Sequence, residues 1–224
     1  MADIFEEVES DLRAERARAL LQRYGKLGIA AVVLIVLGVA AWQGLAWLRA
    51  RQMARVAMEY FAAAQESQAT TPAGSGNTKA EADFARLAGN NTPAGYRALA
   101  RLRTAALAAG AGQKTLALKL WREVAEDSDA DPLLQDLGRL LWVTHQIDGV
   151  KSATAAKPLE AELHPLLAAG NPWRPLAEEA SALIALAVGD KGAAQKTLTA
   201  LDGDPMAPEG VRRRAAALLA RISE

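Results

Sequence analysis

At 224 residues and 23.7 kDa the chain has room for one membrane-length helix and one domain of ordinary size, which excludes two large domains. Its 26 basic residues balance 26 acidic ones, so no overall positive field is present to hold nucleic acid. Cysteine is absent and histidine is limited to His145 and His164, which excludes disulfides and thiolate metal sites and leaves little for acid–base chemistry.

Residues 1–26 read as an amphipathic cytoplasmic tail, with Phe5, Val8 and Leu12 at helical spacings of three and four. The acids Asp3, Glu6, Glu7, Glu9 and Asp11 precede the bases, the order that complements a helix dipole and an anionic lipid surface. Residues 27–48, LGIAAVVLIVLGVAAWQGLAWL, follow as 22 positions without a charge, Gln43 being the one strongly polar side chain. At ~1.5 Å per residue they make a helix of ~33 Å, enough to span a ~30 Å hydrocarbon core. Eleven of them are Leu, Ile or Val, worth together roughly −3 to −7 kcal/mol on insertion, which outweighs one glutamine. A helix buried in a soluble core seldom carries so long an uncharged run with charges just outside both ends. A cleaved signal peptide has a shorter apolar region and a small-residue cleavage site, whereas Arg49 follows Leu48 directly.

Orientation follows from the basic residues. Arg13, Arg16, Arg18, Arg23 and Lys26 on the N-terminal side outnumber Arg49, Arg51 and Arg55 on the other, which places the N-terminus in the cytoplasm and the C-terminal part across the membrane. Tyr24, Trp42 and Trp47 sit where amphipathic rings favour headgroup depth. Ala40 and Gly44, four apart and flanking Gln43, are positions where a partner helix can approach closely.

Residues 49–78 read as a juxtamembrane helix, Arg49 to Gln68, followed by a linker, TTPAGSGNTK at 70–79. Residues 79–224 form the domain. Short Ala- and Leu-rich runs alternate there with Pro and Gly, β-branched residues are scarce, and the expected class is all-α. Proline recurs at Pro93, Pro132, Pro172 and Pro208, at intervals of 39, 40 and 36 residues, the period of a helical-hairpin repeat array. Gly112, Ala117, Trp121 and Val124, and again Gly189, Ala194, Leu198 and Leu201, have the spacing of a tetratricopeptide second helix; residues 132–171 fit it only loosely.

Three patterns suggest chemistry and fail on inspection. GAGQKT at 110–115 puts Gln113 where a phosphate loop needs glycine and follows a helix rather than a strand. Asp127, Asp129 and Asp131 alternate as in a calcium loop, but Pro132 and Gly138 stand where that loop needs Gly and Glu, so Asp131 reads as a helix cap. Glu160 and His164 supply one carboxylate and one imidazole, too few for a di-metal site. The expectation is a protein without catalytic residues, cofactor or metal.

The opening ADIFEEVESDLR, Tyr24-Gly25-Lys26, Trp42, Gln52 and Tyr60 resemble a known family, as do TPAG at 92–95, ALARLR at 98–103, GNPWRPLA at 170–177, Gly189-Asp190 and PEGVRRRA at 208–215. Over nearly its whole length the chain resembles the YfgM-like ancillary subunits of the SecYEG translocon, single-span inner-membrane proteins with a tetratricopeptide-like periplasmic domain. The resemblance implies a role beside the protein-conducting channel, linking emerging client polypeptides to periplasmic chaperones. The same anchor and scaffold would also suit an accessory subunit or assembly factor of another inner-membrane complex. Tyr96, Arg97, Arg101, Trp173 and Arg174 are of types enriched at protein interfaces and are the candidate partner-binding residues.

Overall fold

A computed structural model describes the backbone of residues 3–69 and 78–222 and the side chains of residues 29–67 and 79–222. Among the described residues all regular structure is helical, as the scarcity of β-branched residues predicts. Within contact distance the chain divides into two units, residues 1–55 and residues 56–224.

The first unit lies on helix α1 (Asp3–Ala69). Among the described residues its apolar side chains are largely uncovered: Ile29, Leu34 and Trp42 are 68, 69 and 73% exposed, and no residue of the most apolar stretch is buried. The helix is long and apolar enough to cross a membrane. Ala40, Gln43 and Gly44 are exposed, and the space beside Gly44 is open. Trp47 carries the Arg51 guanidinium 3.9 Å above its ring, a cation–π contact that shields part of an otherwise exposed indole. Of the expected linker at 70–79, residues 70–77 lie outside the described residues, as do the side chains of Phe5, Val8, Leu12 and Tyr24, whereas Thr78 and Lys79 already belong to the next helix.

The second unit begins at Val56, inside the segment expected as a juxtamembrane helix. Val56, Tyr60, Ala63 and Ala64 recur at helical spacing and face α2 (Thr78–Leu87), where Ala80, Phe84 and Leu87 close the first small core. Aromatic edges hold it: Tyr60 lies 5.5 Å from Phe84 and 5.8 Å from Tyr96, centroid to centroid.

Helices α3 (Ala94–Gly110) and α4 (Lys114–Ala125) form the next hairpin. Gly112, at φ +77°, makes the turn that the GAGQKT stretch occupies, a conformation that side chains disfavour. Ala98, Ala105 and Ala117 let the two helices approach, and Trp121 and Val124 fill the seam toward the following helix. Burying Trp121 almost completely, at 1% exposure, removes an area worth about 4–5 kcal/mol of transfer free energy. Helix α5 (Pro132–Thr144) starts on an Asp131 cap, whose carboxylate accepts from Leu133 N at 2.8 Å.

The middle unit departs from the repeat. A 3-10 turn (Ile147–Gly149) precedes α6 (Ala153–Leu163), and a second (His164–Leu167) follows it. Pro158 interrupts the amide ladder of α6 and Pro165 ends it, which explains why residues 132–171 match the pattern poorly. Charge holds α6 in place: Arg122 donates to Glu162 at 2.6 Å while Arg139 Nε sits 3.2 Å from the same carboxylate as an ion pair.

Regular pairing resumes with α7 (Arg174–Ala187), α8 (Lys191–Asp202) and α9 (Glu209–Ile222). Gly189, at φ +87°, turns the chain, and Asp190 caps α8 by accepting from Ala193 N. Ala194, Leu198 and Leu201 are buried, matching their second-helix spacing. The recurring prolines are not equivalent: Pro93 is the cap of α3 and Pro132 the first residue of α5, whereas Pro172 lies ahead of α7, whose own first turn contains Pro175.

Candidate functional site

The first helices of successive hairpins, α5 and α7, lie side by side, and α9 packs against α7. Between them runs an open cleft of about 270 Å³ lined by Leu137, Leu140, Leu141 and Thr144 of α5, Leu176, Glu179, Ala180 and Leu183 of α7, and Arg214 of α9. The spacing explains the wall. Leu137, Leu141 and Thr144, like Leu176, Ala180 and Leu183, recur at three and four residues, so each set forms one helix face. Leu137, Leu141, Leu176 and Leu183 remain half-buried.

Glu179 and Arg214 are the charged residues of this wall. Glu179 is 7% exposed, yet both of its carboxylate oxygens receive the Arg214 guanidinium, Nε and Nη2 each at 2.6 Å. A bidentate pair of this kind satisfies the carboxylate. The hydrogen bond to Glu179 holds the Arg214 pKa above its ordinary value, and the charge attraction adds to it against burial.

Two other clefts are more polar. One, of about 290 Å³, lies among α2, α3 and α4 and includes Glu81, Thr104 and Gln113. The other, of about 400 Å³, lies beside Trp121 and includes Lys114, Thr144, His145 and Asp148. The His145 ring stacks on Trp121 with centroids 4.1 Å apart, and its Nδ1 lies 2.9 Å from the Leu141 carbonyl oxygen.

The structure puts the expected partner-binding residues in four different settings. Arg97 and Arg101 are each 12% exposed at the side chain and are engaged within the fold. Arg97 donates through Nε and Nη2 to both oxygens of Asp127 at 2.9 Å, and Arg101 donates to Asp127 at 3.1 Å, to the Ala88 carbonyl and to Asn90. The hydrogen bond from Arg97 holds the Asp127 carboxyl below the usual aspartate range, reinforced by the attraction of Arg97 and opposed by burial. This cluster locks α3 to the loop that precedes it and to the loop between α4 and α5. Tyr96 is half-buried against Tyr60.

Trp173 packs against the α5–α7 core and donates its indole N–H to the Leu133 carbonyl at 2.9 Å, so it tethers the first turn of α5. Trp173→Phe keeps the packing and removes the donor; the expected loss is about 1 kcal/mol in urea unfolding followed by circular dichroism. Arg174 is exposed and pairs with Glu178 one turn on, at 2.7 Å. None of the five lines the apolar cleft.

Sequence reasoning missed Leu137, Leu141, Leu176, Leu183, Glu179 and Arg214. Their signal in the sequence is the helical periodicity of α5 and α7, which reads as core and does not mark the positions left half-exposed. Ranking residues by interface-prone type instead selected arginines that the fold itself uses.

A family model for a tetratricopeptide repeat-like domain matches residues 18–200. No curated protein and no solved structure matches the chain.

Proposed function

The chain belongs to the tetratricopeptide repeat-like domain family, and on that premise we propose that it is a membrane-anchored scaffold that binds other proteins through the cleft between α5, α7 and α9. The observation that carries this reading is the cleft itself: half-buried leucines facing solvent at helical spacing, in a family of protein-interaction modules. Domains of this family are typically interaction modules rather than catalysts, and this chain acts by binding.

Residues 27–48 are the anchor. An uncharged helix whose apolar side chains are uncovered is stable in lipid and costly in water. The basic residues preceding it keep 1–26 in the cytoplasm, and residues 79–224 then stand in the periplasm. Tyr24, Trp42 and Trp47 ring the boundaries of that span, and Ala40, Gln43 and Gly44 offer a face to a neighbouring membrane helix.

In this reading the protein is an ancillary subunit of the SecYEG translocon that receives translocated polypeptides and passes them to periplasmic chaperones. Support comes from the single anchor, the repeat domain and the sequence resemblance described above. The test is extraction in mild detergent followed by mass spectrometry of co-purifying proteins, comparing the natural chain with Leu141→Asp. Translocon subunits that co-purify with both, and chaperones or clients that are lost with Leu141→Asp, are the expected result. Consistent recovery of a different inner-membrane complex in place of Sec components would replace this partner assignment with that complex.

A further inference from the structure

The chain has no cysteine and four methionines, so all of its sulfur is thioether. Three of the four, Met53, Met58 and Met206, are among the described residues, and all three are exposed, at 51, 68 and 86%. The described core is built from Ala, Leu, Val, Ile, Phe and Trp. Met206 owes its exposure to a fixed backbone. It lies in the turn between α8 and α9, with Pro205 before it and Ala207 and Pro208 after it. Its N–H donates to Asp204 Oδ1 at 2.8 Å, and the Ala207 N–H donates to the Asp204 carbonyl oxygen at 3.2 Å. Ala207 itself is 4% exposed and pins the turn to the fold. Two prolines of fixed φ, an aspartate-closed turn and a buried anchor hold the backbone in one shape, which leaves the Met206 thioether in water.

We propose that Met206 is a modification site for peroxides, which convert its thioether to the sulfoxide, and that the helical domain keeps its fold through the change. The sulfur lone pair attacks one oxygen of hydrogen peroxide, the O–O bond breaks, a sulfur–oxygen bond forms, and the departing hydroxide takes up the proton to leave as water. Sulfur loses two electrons and the peroxide gains them. In a packed core the polar sulfoxide would disrupt its neighbours; at this turn it meets solvent. The same exposure opens the site to repair, because methionine sulfoxide reductases return the thioether at the expense of two thiols, giving a disulfide and water.

The experiment treats the full chain, in lipid nanodiscs, with hydrogen peroxide and follows it in time by peptide mass spectrometry. Met53, Met58 and Met206 fall on three separate tryptic peptides, residues 52–55, 56–79 and 197–212. The expected result is that 197–212 gains one oxygen first, roughly twice as fast as 52–55. Once that peptide is fully oxidised, the melting temperature by circular dichroism should have moved by no more than about 1 °C. Reductases for both sulfoxide epimers, with dithiothreitol, should restore the original mass. Met206→Leu should abolish the gain in 197–212 and leave the other two peptides oxidising at their natural rates. Oxidation of 197–212 no faster than that of the other two overturns the inference. So does a melting temperature that falls by several degrees on oxidation in the natural chain but not in Met206→Leu.

Discussion

Asp127→Ala is expected to lower the stability of the helical domain by about 3 kcal/mol, because it removes the carboxylate shared by two guanidinium groups that are each 12% exposed, leaving Arg97 only Asp129 and Arg101 only Glu123, Asn90 and the Ala88 carbonyl. For a unit of this size that corresponds to a fall of about 6–12 °C in the melting temperature, read by circular dichroism. Asp127→Asn keeps the shape and an acceptor oxygen but removes the charge, so its loss is smaller, about 1–2 kcal/mol. The sign of the pH dependence follows from the direction of the shift. In the folded chain the Asp127 carboxyl is held below its ordinary value, chiefly by the Arg97 hydrogen bond. Its contribution is therefore complete above the unfolded value of about 3.9 and is lost as pH falls through the lower folded value. Urea midpoints of the natural chain should drop through this acid range, whereas those of Asp127→Asn, having lost the contribution already, should drop less. An Asp127→Ala protein as stable as the natural one would mean that the cluster holds nothing together.

Gly138→Ala is expected to cost about 2–3 kcal/mol, although alanine is the better helix former by ~1 kcal/mol. A Cβ at this position on α5 would stand 2.9 Å from the Trp121 carbonyl oxygen, 3.0 Å from the Ala125 nitrogen and 3.1 Å from the Val124 Cβ of α4. Two of these are backbone atoms, so relief requires the helices to move apart and to loosen the seam that buries Trp121. The melting temperature should fall by about 4–12 °C. Gly95→Ala, where nothing lies within 4 Å of the added methyl, serves as the control and should hold or gain stability. A Gly138→Ala protein that melts with the Gly95→Ala protein would contradict the close crossing of α4 and α5.

Much of the fold was legible because local rules and packing agree in this chain. Uncharged length marked the apolar helix, Asp131 and Gly112 marked a helix start and a turn, and the spacing of Ala117, Trp121 and Val124 marked a helix that buries one face. The first hairpin was not read, because Tyr60, Ala63 and Ala64 follow an apolar span so closely that their periodicity merges with it. Pro172 shows a second limit: it keeps the period of the repeat but precedes its helix, and Pro175 occupies the helical turn. The site was legible only in pieces. Residue type pointed to Arg97, Arg101 and Trp173, yet each is spent on contacts between elements distant in sequence, a pairing that one chain's spacing does not encode. The cleft leucines look in sequence like ordinary core residues, and only the arrangement of α5, α7 and α9 leaves them half-exposed.

The central claim is that this anchored chain works by holding other proteins in the α5–α7–α9 cleft. Site-specific photocrosslinking in intact cells tests it most directly, with a photoreactive side chain placed at Leu183 in the cleft or, for comparison, at Leu116, which is 40% exposed beside a different cleft. The account predicts discrete protein adducts from position 183 and few or none from position 116. Equal labelling from both positions, or none from position 183, would contradict it.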